Sequence, residues 1–162
     1  MSLKSLIQTA AVAMLAAFSL GAVAQSPAPF GAPIGVEAAK KAAAGALAEA
    51  RKNKWSMAVA VTDTSGSLVY FEKMDNNQLG STNVAIGKAR SAALFKRPTM
   101  ALQKGLAAGG DGLRLLQLEG AVSVGGGQPI ILDGKFVGGI GLSGGSAEQD
   151  DQCALAGVNA LK

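Results

Sequence analysis

Histidine is absent from all 162 residues, which removes both the commonest general base and the commonest metal ligand. Cysteine occurs once, so no intramolecular disulfide can staple the chain; stability must come from its core or from association with other copies. Aromatic residues make up only 4% of the chain, and no block of Lys or Arg is interleaved with them. That pattern speaks against a nucleic-acid surface. Nor is there an apolar run long enough to span a bilayer. The stretch from Ala10 to Leu20 is short and is diluted at its edges by Thr9, Ser19 and Gly21, whereas spanning takes about 20 apolar residues.

What the N-terminus does have is Lys4, that apolar stretch, and Ala22-Val23-Ala24 ahead of Gln25. These are the parts of a secretory signal peptide, 1–24, with cleavage expected after Ala24 and a periplasmic or secreted product that has no stable membrane insertion. Losing Lys4 lowers the formal net charge from +4 to +3. Three prolines make 25–35 a flexible, extended segment. The remainder, 36–162, is of single-domain size, since domains commonly run about 100–150 residues.

Val36, Ala39, Ala43, Leu47 and Ala50 fall on one helical face. Met57–Val61 is an unbroken apolar run, expected to be a central strand covered on both sides, and a Gly-containing turn leads from it to Leu68–Phe71. Asp63 is suited to start that turn by bonding its own backbone. A helix capped by Ser81 should run to about Lys96 before Arg97-Pro98 stops it. Its small-residue stripe is Ala85, Ala89 and Ala92, and Lys88, Arg90, Lys96 and Arg97 are read as a basic outer face. Thr99 is expected to cap a short helix through Leu106, and Leu113–Leu116 to form a further helical turn.

Ala121–Val124 reads as a strand entering the Gly125-Gly126-Gly127 loop. Asp133-Gly134 then sits between two apolar runs, the signature of a two-residue type I′ hairpin, which needs positive φ at both positions. The following strand, Phe136–Leu142, holds Gly138, Gly139 and Gly141, and so calls for a helix, ligand or subunit lying close on its backbone. Ser146 and Gln149 form a capping box at the start of the last helix. The expected fold is therefore α+β, a sandwich of about five antiparallel strands covered by helices.

Two glycine motifs invite a nucleotide reading, and neither has the required context. Gly139-Ile140-Gly141-Leu142-Ser143-Gly144 matches G-x-G-x-x-G, but the sequence offers no subsequent parallel strand with its acidic residue. The triple glycine has no Lys-Ser/Thr after it. Cys153, in an apolar helical setting, reads as a buried, inert thiol.

Taken together, Val36–Lys40, Ala85-Ile86-Gly87-Lys88-Ala89-Arg90, Phe95–Thr99, Gly126-Gly127-Gln128-Pro129 and Gly138–Gly145 through Glu148-Gln149-Asp150 resemble the GlcG/HbpS family over nearly all of the mature chain. The resemblance implies a profilin-like sandwich with a five-stranded antiparallel sheet, homo-oligomers, and in some members bound haem. Relatives that bind haem through histidine have no counterpart ligand here, so an iron donor would have to be Met74, Met100, Tyr70, Cys153 or a lysine.

Three readings stay open. One is an exported oligomer that binds haem or another tetrapyrrole. The second is a binding or accessory module for a small organic acid, using the basic helix and free backbone donors of the Ser143–Ser146 elbow. The third is an enzyme in which Glu148 and Asp151, one helical turn apart, do acid/base work or hold a metal. Candidate ligand-binding residues are Lys88, Arg90, Thr99, Gly125, Gly126, Gly127, Ser143, Gly144, Gly145, Glu148 and Asp150.

Overall fold

The computed structural model describes residues 28–162; the expected signal peptide and cleavage point lie outside them. Helix α1 (Val36–Lys52) precedes strands β1 (Ala58–Thr62) and β2 (Leu68–Lys73). Helices α2 (Ser81–Phe95) and α3 (Thr99–Ala107) and a 3-10 helix (Gly110–Gln117) come next, followed by β3 (Gly127–Leu132), β4 (Lys135–Ser143) and α4 (Ala147–Asn159). The strands form one antiparallel sheet in the order β2-β1-β4-β3. Helices α1 and α4 cover one face and α2 the other.

The sheet has four strands, not five. Ala121–Val124, with two β-branched valines, takes no place in it: the Val122 amide donates to the Ser91 hydroxyl of α2 at 3.1 Å. The ladder begins only where the Leu142 amide reaches the Gly126 carbonyl at 2.9 Å and Gly127 pairs with Gly141.

Strand β1 is buried along its whole length, as a central strand covered on both sides must be. Val59 and Val61, with Ile140 and Leu142 of β4, pack under α1 and α4. Full burial of aliphatic side chains of this size contributes about 1.5–3 kcal/mol each. Ala58 and Ala60 face Ala85 and Ala89 of α2.

Alanine supplies little apolar area; its contribution here is proximity. Gly139 and Gly141 of β4 lie so close under α2 that a Cβ on either would run into the backbone at Ala89. The helix is what the glycine-rich strand makes room for.

Local signals behave as their chemistry requires. Asp133 and Gly134 take φ of 49° and 72°. Asp63 Oδ1 accepts from the amides of Ser65 at 2.8 Å and Ser67 at 3.0 Å, closing the β1–β2 turn. Ser146 and Gln149 form the full capping box of α4.

Ser81 and Thr99 do not cap. Each is the first residue inside its helix, behind Gly80 and Pro98, and each hydroxyl bonds elsewhere. The further helical turn expected at Leu113–Leu116 is part of the longer 3-10 helix.

Residues 28–34 run extended along β4, beyond the point where β1 ends. The Gly31 amide donates to Phe136 O at 2.8 Å and the Ile34 amide to Val137 O at 2.9 Å. Lys96, at the C-terminal end of α2 with φ of 49°, holds this segment down. Its ammonium donates to Ala28 O at 2.6 Å and sits 4.1 Å above the Phe30 ring.

Candidate functional site

Most of the residues singled out in the sequence meet at one joint. Lys88 points from α2 toward the sheet, not outward. Its Nζ lies 2.6 Å from Asp150 Oδ2 of α4 and 3.1 Å from Leu142 O of β4, and the two side chains are only 1% and 3% exposed. Asp150 Oδ1 accepts the Gly145 amide at 3.0 Å. Burial pushes the Asp150 carboxyl above the usual carboxylate range; the Lys88 ammonium and the amides of Gly145 and Gly144 oppose that shift.

The Gly125–Gly127 loop closes over the pair. Gly127 donates to the Thr99 hydroxyl at 2.8 Å, and Gly125 donates to Gln103 Oε1 at 2.7 Å. A Cβ at Gly126, whose φ is 111°, would collide with Asp150 and approach Lys88 Nζ, while one at Gly127 would strike the Lys88 carbonyl. Ser143 donates to Ser81 Oγ at 3.1 Å, and Ser143 O receives Asn77 Nδ2 at 3.1 Å. Asn77 also bonds Ser56 O at 2.8 Å. Its buried bridging role was not legible in the polar loop where it sits.

Lys88, Thr99, Gly125, Gly126, Gly127, Ser143, Gly144, Gly145 and Asp150 are thus brought together as an interlocked joint between α2, the sheet and α4. Arg90 is not among them. It is exposed and lies beside the β1–β2 turn, where its Cγ is near Gly66.

The anion-binding elbow expected at Ser143–Ser146 is closed from within. The Gly145 amide is taken by Asp150, and the Ser146 amide donates to Gln149 Oε1 at 2.9 Å.

Beside the joint, α3 and α4 enclose an open groove of about 570 Å³. This size falls within the usual range for small-molecule and cofactor sites, about 300–1,000 Å³. Its apolar lining is Met100, Leu155 and Ala156, and its charged lining is Lys104 against Glu49, Glu148 and Asp151. Met100 is the hinge between joint and groove, for its sulfur and methyl lie against Gly125.

Glu148 accepts the Ser146 hydroxyl at 2.9 Å, and Asp151 accepts Gln128 Nε2 at 2.7 Å. Backbone and Ser146 hydrogen bonds hold the Glu148 carboxyl below its ordinary range, which favours an ionised acceptor over a proton donor at neutral pH.

The possible iron donors sort themselves by contact. Tyr70 donates its hydroxyl to Glu72 at 2.9 Å, and Met74 sulfur accepts the Met57 amide at 3.4 Å. Cys153 is fully buried, and its thiol is pushed up to about 12, chiefly by burial. Lys88 is committed to Asp150. Met100 remains, a thioether on the groove wall, and thioethers do serve as axial haem ligands. Lys104 is the one cation lining the groove.

Comparison with known proteins bears on the whole domain. The chain is 34% identical over 95 residues to protein GlcG of Escherichia coli K12, covering 59% of this chain and 69% of GlcG. It superposes on a double mutant of Streptomyces reticuli HbpS with a TM-score of 0.75 and 33% identity, covering 88% of this chain and 92% of the other. A crystal structure of a PduOC:heme complex matches with a TM-score of 0.71 and 27% identity, over 79% of this chain and 94% of that one. The model of the family described as haem degrading protein HbpS-like matches residues 34–159, and the chain belongs to this family.

Proposed function

We propose that the protein is exported, self-associates, and binds haem or a related tetrapyrrole in the groove between α3 and α4. The observation that carries the reading is the position of Met100. It joins a groove of cofactor size to the glycine loop, and it is the one neutral sulfur donor among the groove's lining residues. The relation to a domain solved as a haem complex supports the ligand class. The N-terminal pattern at 1–24 supports export. Self-association fits a chain with no disulfide and with exposed Leu113 and Leu116 on the 3-10 helix.

In this reading Leu155 and Ala156 receive the apolar body of the ligand, Met100 offers sulfur to the iron, and Lys104 takes a carboxylate. When bound, haem would supply a redox-active iron; the residues' own part is to orient it and to exclude water from its apolar edge. The small-acid reading has less behind it, because Lys88 and the elbow amides are already occupied. The catalytic reading asks Glu148 to give up a proton that its hydrogen bonds keep off it.

The test is a hemin titration of the intact protein, read by Soret absorbance and followed by light scattering on the same sample. Saturation near one haem per chain in an oligomer, with a band that shifts in Met100→Leu, is the expected result. A free-hemin spectrum throughout refutes the haem reading. Mass analysis of protein recovered after export should give a start at Gln25; an uncleaved product counts against the leader.

A further inference from the structure

We infer that Glu148 and Asp151 act as a charge filter on the groove. They admit a tetrapyrrole by its uncharged edge and disfavour any pose that turns carboxylates toward α4. This rests on the tetrapyrrole reading above and adds the ligand's orientation and preferred charge.

Glu148 and Asp151 stand one turn apart on α4 and both line the groove. Their side-chain partners among the described residues, the Ser146 hydroxyl and the Gln128 amide, are neutral, and neither carboxylate has an ion-pair partner there. Both therefore present charge to whatever enters. Glu49, the third carboxylate, is partly compensated by Lys52 at 3.8 Å.

The opposite wall, α3, contributes Lys104 to the lining and no acid. The groove is thus acidic along α4 and basic along α3, on a chain whose net charge is +4. Leu155, 44% exposed, lies on the acidic wall. An apolar ligand edge against Leu155 gains burial, while a carboxylate there meets two like charges. Haem would therefore sit with a propionate toward Lys104 and its vinyl and methyl edge against α4.

Charges acting through a wet groove have the strength of exposed pairs, so each carboxylate should change affinity for a facing anion by about 1.4- to 5-fold. The experiment compares hemin with its dimethyl ester, which lacks the two carboxylate charges, on wild type and on Glu148→Gln/Asp151→Asn, at low and high salt. Expected are tighter hemin binding by the double variant at low salt, by up to about twofold as the pose with propionates toward α4 becomes available, little change for the ester, and a difference that collapses at high salt. Lys104→Gln should weaken hemin and spare the ester.

Hemin affinity that is unchanged or weaker in the double variant, with ester binding intact, overturns the filter and leaves the tetrapyrrole site standing. Failure of both compounds to bind wild type overturns the site itself, and the filter with it.

Discussion

Lys88 and Asp150, 62 positions apart in sequence, form an ion pair 2.6 Å long that is almost completely removed from water. Breaking such a pair from one side strands the other charge, at a cost of about 3–5 kcal/mol. Lys88→Met and Asp150→Asn should each lower stability by that order in urea denaturation. The double variant should lose clearly less than the two single losses added together, because no charge is then left alone. Strict additivity would show that the two groups do not act as a pair.

Two of the loop glycines should answer differently to alanine. At Gly127 the added methyl meets the Lys88 carbonyl, which the helix holds in place, so a loss of about 1–3 kcal/mol is expected. At Gly125 it meets chiefly the end of the flexible Met100 side chain, which can swing away, with the Ala147 Cβ 3.2 Å off as the one fixed neighbour. Gly125→Ala should therefore melt within a few degrees of wild type, and under the proposed haem reading it should change the Soret band obtained on hemin titration. Equal losses at both positions would contradict the packing described.

Cys153 gives a pH dependence with a definite sign. Its folded-state pKa of about 12 lies above the ordinary 9.0, so folding favours the protonated thiol. The resulting stabilisation is complete below about pH 9 and is lost as pH rises from there toward 12. Wild type should lose up to about 1.4 kcal/mol per pH unit more than Cys153→Ala across that window. A thiol reagent at neutral pH should label the native protein only as fast as it opens. Rapid labelling without unfolding would refute the burial.

Lys96→Ala removes both the hydrogen bond to Ala28 and the cation over Phe30. The N-terminal segment should then open locally, at a cost of about 1–3 kcal/mol. Limited proteolysis is the right assay, with faster cuts near residues 28–34 and a far smaller shift in the global unfolding midpoint. An unchanged cleavage pattern would mean that the segment is held by its β4 bonds alone.

The elements most legible in the sequence were those set by neighbours along the chain. Asp133-Gly134, the Ser146–Gln149 box and the Asp63 turn each need only a few adjacent residues. Gly139 and Gly141 were also informative, since glycine in a strand implies close contact from outside it, and α2 provides that contact.

Long-range partners were not legible. Ala121–Val124 has strand chemistry but pairs with neither edge strand of the sheet, and its Val122 amide ends up on Ser91 instead. Lys88 and Arg90 do not share one basic face, since positions two apart on a helix point in nearly opposite directions. The buried positions Ala85, Lys88, Ala89 and Ala92 follow a single helical stripe, and that spacing was the available clue. The groove required α3 and α4 to lie across from each other, which no local pattern encodes.

The seating of α2 on bare glycine backbone divides the chain by how freely it can diverge. Any side chain added at Gly139 or Gly141 would have to lift a whole helix, so this part of the molecule is closed to gradual change. Helix α3 buries only Thr99 and Leu102, and the adjoining 3-10 helix buries nothing. Descendants of this fold can therefore exchange one wall of the groove almost residue by residue and acquire new ligands, while the half that holds the molecule together stays fixed.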